Sequence, residues 1–270
     1  MDKKTYLNIE NLTCGYREGF MLKPFNLSLS KGSFGGIIGG NGSGKSTFFK
    51  GLTGELKITG GSVRLDGTEL SSLTLRERAK RVALVPQFIE KSPITVEEYV
   101  LMGRMPHRRA FQFLETKEEQ EILENSLELT GIMHLKRCRF TELSGGEQQM
   151  TAIACALAQK PQLILLDEPT SHLDITYQSR IMNLLQRLNE EEGLTVLMII
   201  HDLNLAGEYC SHISLVKEGE LIIQGDPEEV LRYKNIERAY DTVVVESRNP
   251  VSGKPAIFQV SERFSKRYDR

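Results

Sequence analysis

Gly39-Gly40-Asn41-Gly42-Ser43-Gly44-Lys45-Ser46-Thr47 has the spacing Gly-x-x-x-x-Gly-Lys-Ser of a phosphate-binding loop. Gly39, Gly42 and Gly44 permit the positive φ angles that aim successive N–H groups at one anion. Gly35 to Ile38 upstream is small and apolar, like the end of a buried strand, and Ser46 to Leu52 downstream continues as a helix whose N-terminal dipole favours phosphate. In such a loop Lys45 reaches the β- and γ-phosphates of ATP and the Ser46 hydroxyl ligates Mg²⁺, with Asn41, Ser43 and Thr47 completing the cradle.

The chain outside this loop carries the alternating signals of an α/β protein. Tyr6 to Leu12 and Phe25 to Leu29 alternate as antiparallel strands. Ser62 to Leu65, Val82 to Val85, Leu163 to Leu166 and Thr195 to Ile200 are apolar and of strand length, and Ile213 to Lys217 pairs through Glu218-Gly219 with Leu221 to Gln224. Between Pro93 and Lys160 the pattern turns helical. Ile122, Leu123 and Leu127 share an inward face on Glu118 to Leu129, with the acidic residues outward, and Gln148 to Gln159 forms a second helix. Asp226-Pro227-Glu228-Glu229 opens a further helix with Asp226 as N-cap and Pro227 in the first turn.

Composition excludes several classes. At 270 residues with 40% hydrophobic and 26% charged residues, the chain is ordinary for a globular protein. Its longest apolar runs fall far short of the roughly 20 residues that cross a bilayer. Met1 to Thr5 leads into no signal-peptide core, so the protein is expected in the cytosol and any membrane role is peripheral. Cys14, Cys138, Cys155 and Cys210 are far apart and suggest neither a zinc site nor a disulfide framework. A net charge of −2 argues against nucleic acid as a partner, although Arg104, His107, Arg108 and Arg109 form a local basic stretch.

Two further motifs carry chemistry. Leu163 to Leu166 ends in Asp167-Glu168, which places adjacent carboxylates at a strand's carboxyl end, where doubly wound folds bind ligands. Asp167 suits the Mg²⁺ shell and Glu168 the general base that polarises an attacking water. Leu143-Ser144-Gly145-Gly146-Glu147 opens a helix with a hydroxyl, two glycine amides and a positive end, a second anion site. A single chain has no need of two such sites for one phosphate.

On these residues the chain resembles the ATP-binding cassette (ABC) ATPases, along nearly its whole length. The resemblance implies an α/β P-loop NTPase fold, with a mixed parallel sheet core, an antiparallel β layer and a helical subdomain. One cassette then spans residues 1–270: an α/β core at about 1–92 and 160–240, the helical subdomain at about 93–159 and a C-terminal segment at about 241–270. It further implies that Ser144-Gly145-Gly146-Glu147 caps the γ-phosphate bound on an opposite subunit and that Tyr16 stacks on adenine. Gln87 matches the glutamine that senses Mg²⁺ and water, Ser171-His172-Leu173-Asp174 the loop that crosses the dimer interface, and His201 the switch histidine near the γ-phosphate. Two positions depart from the family pattern: Glu147 stands where Gln is common, and Cys155 where Arg is common.

Thr95 to His107, with its Gly103-Arg104-Met105-Pro106-His107, together with Asp202 to Ala206 and Asn249 to Pro255, resembles the ATPase subunits of iron-siderophore, haem and cobalamin importers. That branch implies ATP and Mg²⁺ as cofactors and a second copy of the chain in a head-to-tail dimer. It also implies a transmembrane permease beneath the basic Arg104 to Arg109 stretch, an extracytoplasmic substrate-binding protein reached indirectly, and a place at the cytoplasmic face of the membrane. The competing readings are another small-solute or metal importer, a soluble ABC ATPase acting on DNA or ribosomes, and a non-hydrolysing binding module. Against the last two stand the lack of a coiled-coil insertion or second cassette, and intact Lys45, Asp167, Glu168 and His201.

Overall fold

A computed structural model describes residues 5–90, 92–109, 112 and 114–265. The amino-terminal Met1 to Lys4 and the last five residues of the expected C-terminal segment lie outside them. The chain divides into two compact units, one of residues 1–71 and 197–270 and one of residues 72–196.

The first unit opens with β1 (Thr5–Cys14) and β2 (Phe25–Ser30), antiparallel as expected. Phe25, Leu27 and Leu29 face inward and Asn26 and Ser28 outward, the period-2 pattern that places one face on a core. β3 (Phe34–Ile38) is buried at every residue and leads through the glycine loop into α1 (Lys45–Thr53). β4 (Ile58–Leu65) pairs antiparallel with β1 and turns at Asp66-Gly67 into the short β5 (Thr68–Glu69).

The second unit begins with α2 (Leu75–Ala79) and β6 (Val82–Val85), followed by α3 (Val96–Leu101), α4 (Lys117–Thr130) and α5 (Gly145–Ala158). α2, α3, α4 and α5 each start at a Thr or Ser N-cap with a glutamate three residues on, a full capping box. α5 starts three residues before the expected Gln148, because Ser144 caps it and Gly145 and Gly146 are already helical. On α4, Ile122, Leu123 and Leu127 are buried as expected, but Glu119 is not outward: it is 5% exposed and held by Arg108 Nε at 2.8 Å. β7 (Leu163–Asp167) runs parallel to β6, and α6 (Ile175–Glu192), not anticipated from the sequence, follows from the Asp174 N-cap and buries Ile181, Leu184, Leu185 and Leu188 on one face.

β8 (Thr195–Ile199) crosses the boundary, returning the chain to the first unit, where the strand order is β10-β9-β3-β8. α7 (Leu203–Tyr209) starts directly after His201-Asp202. β9 (His212–Lys217) lies parallel to β3 and antiparallel to β10 (Glu220–Gly225), and Glu218 and Gly219 take φ of 50° and 77°, the double positive φ of a tight hairpin. α8 (Pro227–Val230) has Asp226 as N-cap and Pro227 in its first turn, as the sequence indicates. Beyond it lie α9 (Tyr233–Tyr240), the hairpin β11 (Val244–Arg248) with β12 (Pro255–Gln259), and α10 (Glu262–Ser265), none of them anticipated. The α/β fold with a mixed sheet and an antiparallel layer is therefore as the sequence implies. The four cysteines are free thiols.

Candidate functional site

In the first unit the phosphate loop is drawn tight around Lys45. Its ammonium donates to Gly39 O and Gly40 O at 2.9 Å each and to Ser43 Oγ at 3.4 Å, and the residue is 6% exposed. Gly39, Gly42 and Gly44 all have positive φ, at 153°, 74° and 97°. Gly39 admits no side chain, since a Cβ there would run into the Val216 carbonyl of β9. Ser43 O accepts from Gly219 N at 2.9 Å, tying the loop to the β9–β10 turn. α1 has Gly44 at its N-cap and no side-chain cap, and Asn41 and Gly42 are exposed. An ammonium, the hydroxyls of Ser43, Ser46 and Thr47 and a glycine-rich backbone suit a polyphosphate.

Tyr16 stands on the same unit, 44% exposed, with its N–H on Phe20 O at 3.0 Å. Lys50 Nζ donates to its hydroxyl at 3.4 Å and lies 6.0 Å from the ring centroid. His201 is exposed at the turn between β8 and α7. Ile200 N donates to Ile37 O at 3.0 Å on one side of it, and on the other Asp202 Oδ1 accepts from Asn204 N and Leu205 N at 2.8 and 3.1 Å.

In the second unit Gln87 and Glu168 are in direct contact, Nε2 donating to Oε2 at 2.6 Å. Ser171 Oγ donates to the same carboxylate oxygen at 3.1 Å. Glu168 and His172 both adopt positive φ, 51° and 61°, although neither is glycine. Such backbone strain concentrates at functional turns. Asp167 closes β7 beside Glu168.

The Ser144 turn is equally ordered. Ser144 Oγ accepts from Glu147 N at 3.4 Å, while the Glu147 carboxylate accepts from Ser144 N at 2.8 Å and Ser144 Oγ at 2.7 Å. These bonds hold the Glu147 carboxyl below the usual range. Glu147, a departure at the level of sequence, thus completes a capping box. Gly146 is required: a Cβ there would enter the Tyr177 ring on α6.

Arg104 and His107 have a role that the sequence does not suggest. Arg104 is 5% exposed and its Nη1 donates to Ala158 O at 2.7 Å, while His107 Nε2 meets Gln159 O at 3.0 Å. Both bind the carboxyl end of α5, where cations are favoured by the helix dipole. Burial lowers the pKa of each. They are thus tied to the helix end rather than free in solvent, and with Arg108, Arg109, Glu118 and Glu119 they line a cavity of about 700 Å³. Burial pushes the thiol of Cys155, on the same helix, up to about 12.

The ABC transporter family model matches residues 22–171. The chain is 38% identical over 249 residues to the ferric enterobactin transport ATP-binding protein FepC of Escherichia coli strain K12, covering 92% of each. It is 37% identical over 250 residues to the iron(3+)-hydroxamate import ATP-binding protein FhuC of Bacillus subtilis strain 168, covering 92% of this chain and 93% of that one. Among solved structures, the dimeric structure of the bacterial ABC transporter cassette MJ0796 superposes with a TM-score of 0.73 at 32% identity, covering 82% of this chain and 98% of that one. The phosphate loop, the Asp167-Glu168 strand end and the Ser144 turn stand in the order of an ATP-binding cassette, and the chain belongs to the ABC transporter family.

Proposed function

We propose that this chain hydrolyses ATP to energise a membrane importer of an iron-siderophore, haem or cobalamin class of cargo. The observation that carries the hydrolytic reading is the 2.6 Å bond from Gln87 to Glu168, which orients a carboxylate of the kind needed to polarise water. A module that only binds nucleotide has no use for that arrangement. The importer reading is supported by the names of FepC and FhuC, both iron-transport ATP-binding proteins. No described helix is long and apolar enough to cross a membrane. In the importer reading the chain acts on a separate permease at the cytoplasmic face, with a substrate-binding protein beyond it. Phe88, next to Gln87, is 76% exposed, and Met102 and Met105 are 51% and 59% exposed, apolar side chains open to a partner.

The residues divide the work. Lys45, with Gly39, Asn41, Gly42, Ser43, Gly44, Ser46 and Thr47, binds the phosphates, and Tyr16 stacks on adenine. Ser46, Gln87 and Asp167 would hold Mg²⁺, which would neutralise phosphate charge. Two copies meet head to tail, so that Ser144, Gly145, Gly146 and Glu147 of one close on the nucleotide bound by Lys45 of the other. Glu168 takes the water's proton and His201 steadies the γ-phosphate. Closure drives the permease and hydrolysis resets it. In Glu168→Gln, phosphate release should fall by at least ~10²-fold while ATP binding and an ATP-bound dimer persist. Wild-type turnover in that variant would remove Glu168 as the base. Ser144→Arg should stay monomeric with ATP, and normal dimerisation would contradict the shared site.

A further inference from the structure

We propose that the C-terminal hairpin sets the position of the switch histidine, with Asn204 and Glu208 as positioning residues acting through α7. The inference rests on the reading of His201 given above. His201 has a fixed strand behind it, because Ile200 N is bonded to Ile37 O at 3.0 Å. In front of it, Asp202 is the N-cap of α7 and accepts from two amides of the first turn, so His201 follows wherever α7 goes.

α7 is attached along its length to the hairpin. Asn204 Oδ1 accepts from Ile257 N of β12 at 2.8 Å. One turn on, Gly207 lies so close to Pro255 O that a Cβ would strike it. Glu208 Oε2 then accepts from Asn249 Nδ2 at 3.2 Å and Ser252 Oγ at 2.6 Å in the turn between β11 and β12. That turn is itself closed, with Asn249 N on Lys254 O and Gly253 N on Asn249 O at 2.8 Å each. The hairpin therefore grips α7 through Asn249, Ser252, Pro255 and Ile257.

The switch turn has space beside it. His201, Asp202 and Asn204 face a cavity of about 510 Å³ whose other walls include Ile236, Tyr240 and Phe258. The turn runs directly into α7 through the Asp202 N-cap, so the attachments of α7 bear on its position. Loosening those attachments should misplace the imidazole and leave the phosphate loop, on other strands, intact. A misplaced switch lowers kcat, whereas a damaged phosphate loop raises KM.

The test is steady-state ATP turnover of the purified full chain carrying Asn204→Ala, Glu208→Ala or Glu208→Gln, each alone and combined with His201→Ala. We expect Asn204→Ala and Glu208→Ala to lower kcat about five- to tenfold with KM for ATP within about twofold. Glu208→Gln should recover most of the loss, because its amide oxygen still accepts from Asn249 and Ser252. In the His201→Ala background the same changes should cost nothing further, since the residue they position is gone. Equal losses in both backgrounds, or an unchanged kcat with only a lower melting temperature, would overturn the inference and leave the ATPase reading standing. Wild-type turnover in His201→Ala alone would overturn the switch assignment and this inference with it. Should Glu208→Ala fail to fold, Asn204→Ala and Ser252→Ala carry the same test.

Discussion

Arg104→Met removes the cation from the carboxyl end of α5, and the structure fixes what this should cost. Its Nη1 donates to Ala158 O at 2.7 Å, and Ala158 is fully buried, so without Arg104 that carbonyl loses a charge-assisted bond where water does not readily replace it. An acceptor left unsatisfied in this way costs about 1–3 kcal/mol, and the lost helix-dipole interaction adds about 0.3–1 kcal/mol. Against this stands the relief of burying no charge: burial lowers the Arg104 pKa, and its Nε has no hydrogen-bond partner. Methionine, flexible and of similar reach, fills most of the space. The balance is a destabilisation of about 1–2 kcal/mol, which for a chain of this size lowers the melting temperature by about 2–8 °C. Calorimetry of the two proteins measures it, with hydrogen exchange of the last turn of α5 showing whether the loss is local. An unchanged or raised melting temperature would refute the reasoning, because it would mean that the buried guanidinium costs more than its bond returns.

Other consequences follow from the Ser144 turn. Gly146→Ala drives a methyl into the Tyr177 ring and should destabilise the chain by about 1–3 kcal/mol, with Tyr177→Leu in the same chain relieving part of it; thermal melts of the single and double variants decide this. Glu147 has a folded pKa held below 4.5 by Ser144, so its stabilising contribution is complete above the unfolded value and is lost as pH falls through the lowered folded one. Urea midpoints of the wild type and Glu147→Gln should therefore differ near neutral pH and converge in acid, and a gap that widened in acid would contradict the assignment.

The phosphate loop, the paired acids and the Ser144 turn are legible in the sequence because each is local: a few consecutive residues determine the backbone geometry and supply the chemistry. The same holds for the β9–β10 hairpin at Glu218-Gly219 and for the Asp226 cap. What escapes is long-range. Arg104 and His107 look like a basic loop until α5 is seen to end beside them, more than fifty residues later in the chain. Glu119 looks like part of a solvated face until Arg108 meets it. Asp202 to Ala206 and Asn249 to Pro255 stand out in the sequence only as separate stretches, and that Asn204 and Glu208 bond to the hairpin some forty to fifty residues on is visible only in the structure. Even α5 begins earlier than periodicity suggests, because capping by Ser144 and Glu147 outweighs the poor helix propensity of Gly145 and Gly146.

The central claim, an ATPase that powers an importer, is tested most directly by capture from membranes. Tagged Glu168→Gln with Mg-ATP is retained on a resin and the proteins that stay bound are identified by mass spectrometry. Recovery of a polytopic permease together with an extracytoplasmic substrate-binding protein is the predicted result, and it would name the cargo class. Recovery of ribosomes, DNA or the cassette alone would contradict the importer and leave only the ATPase.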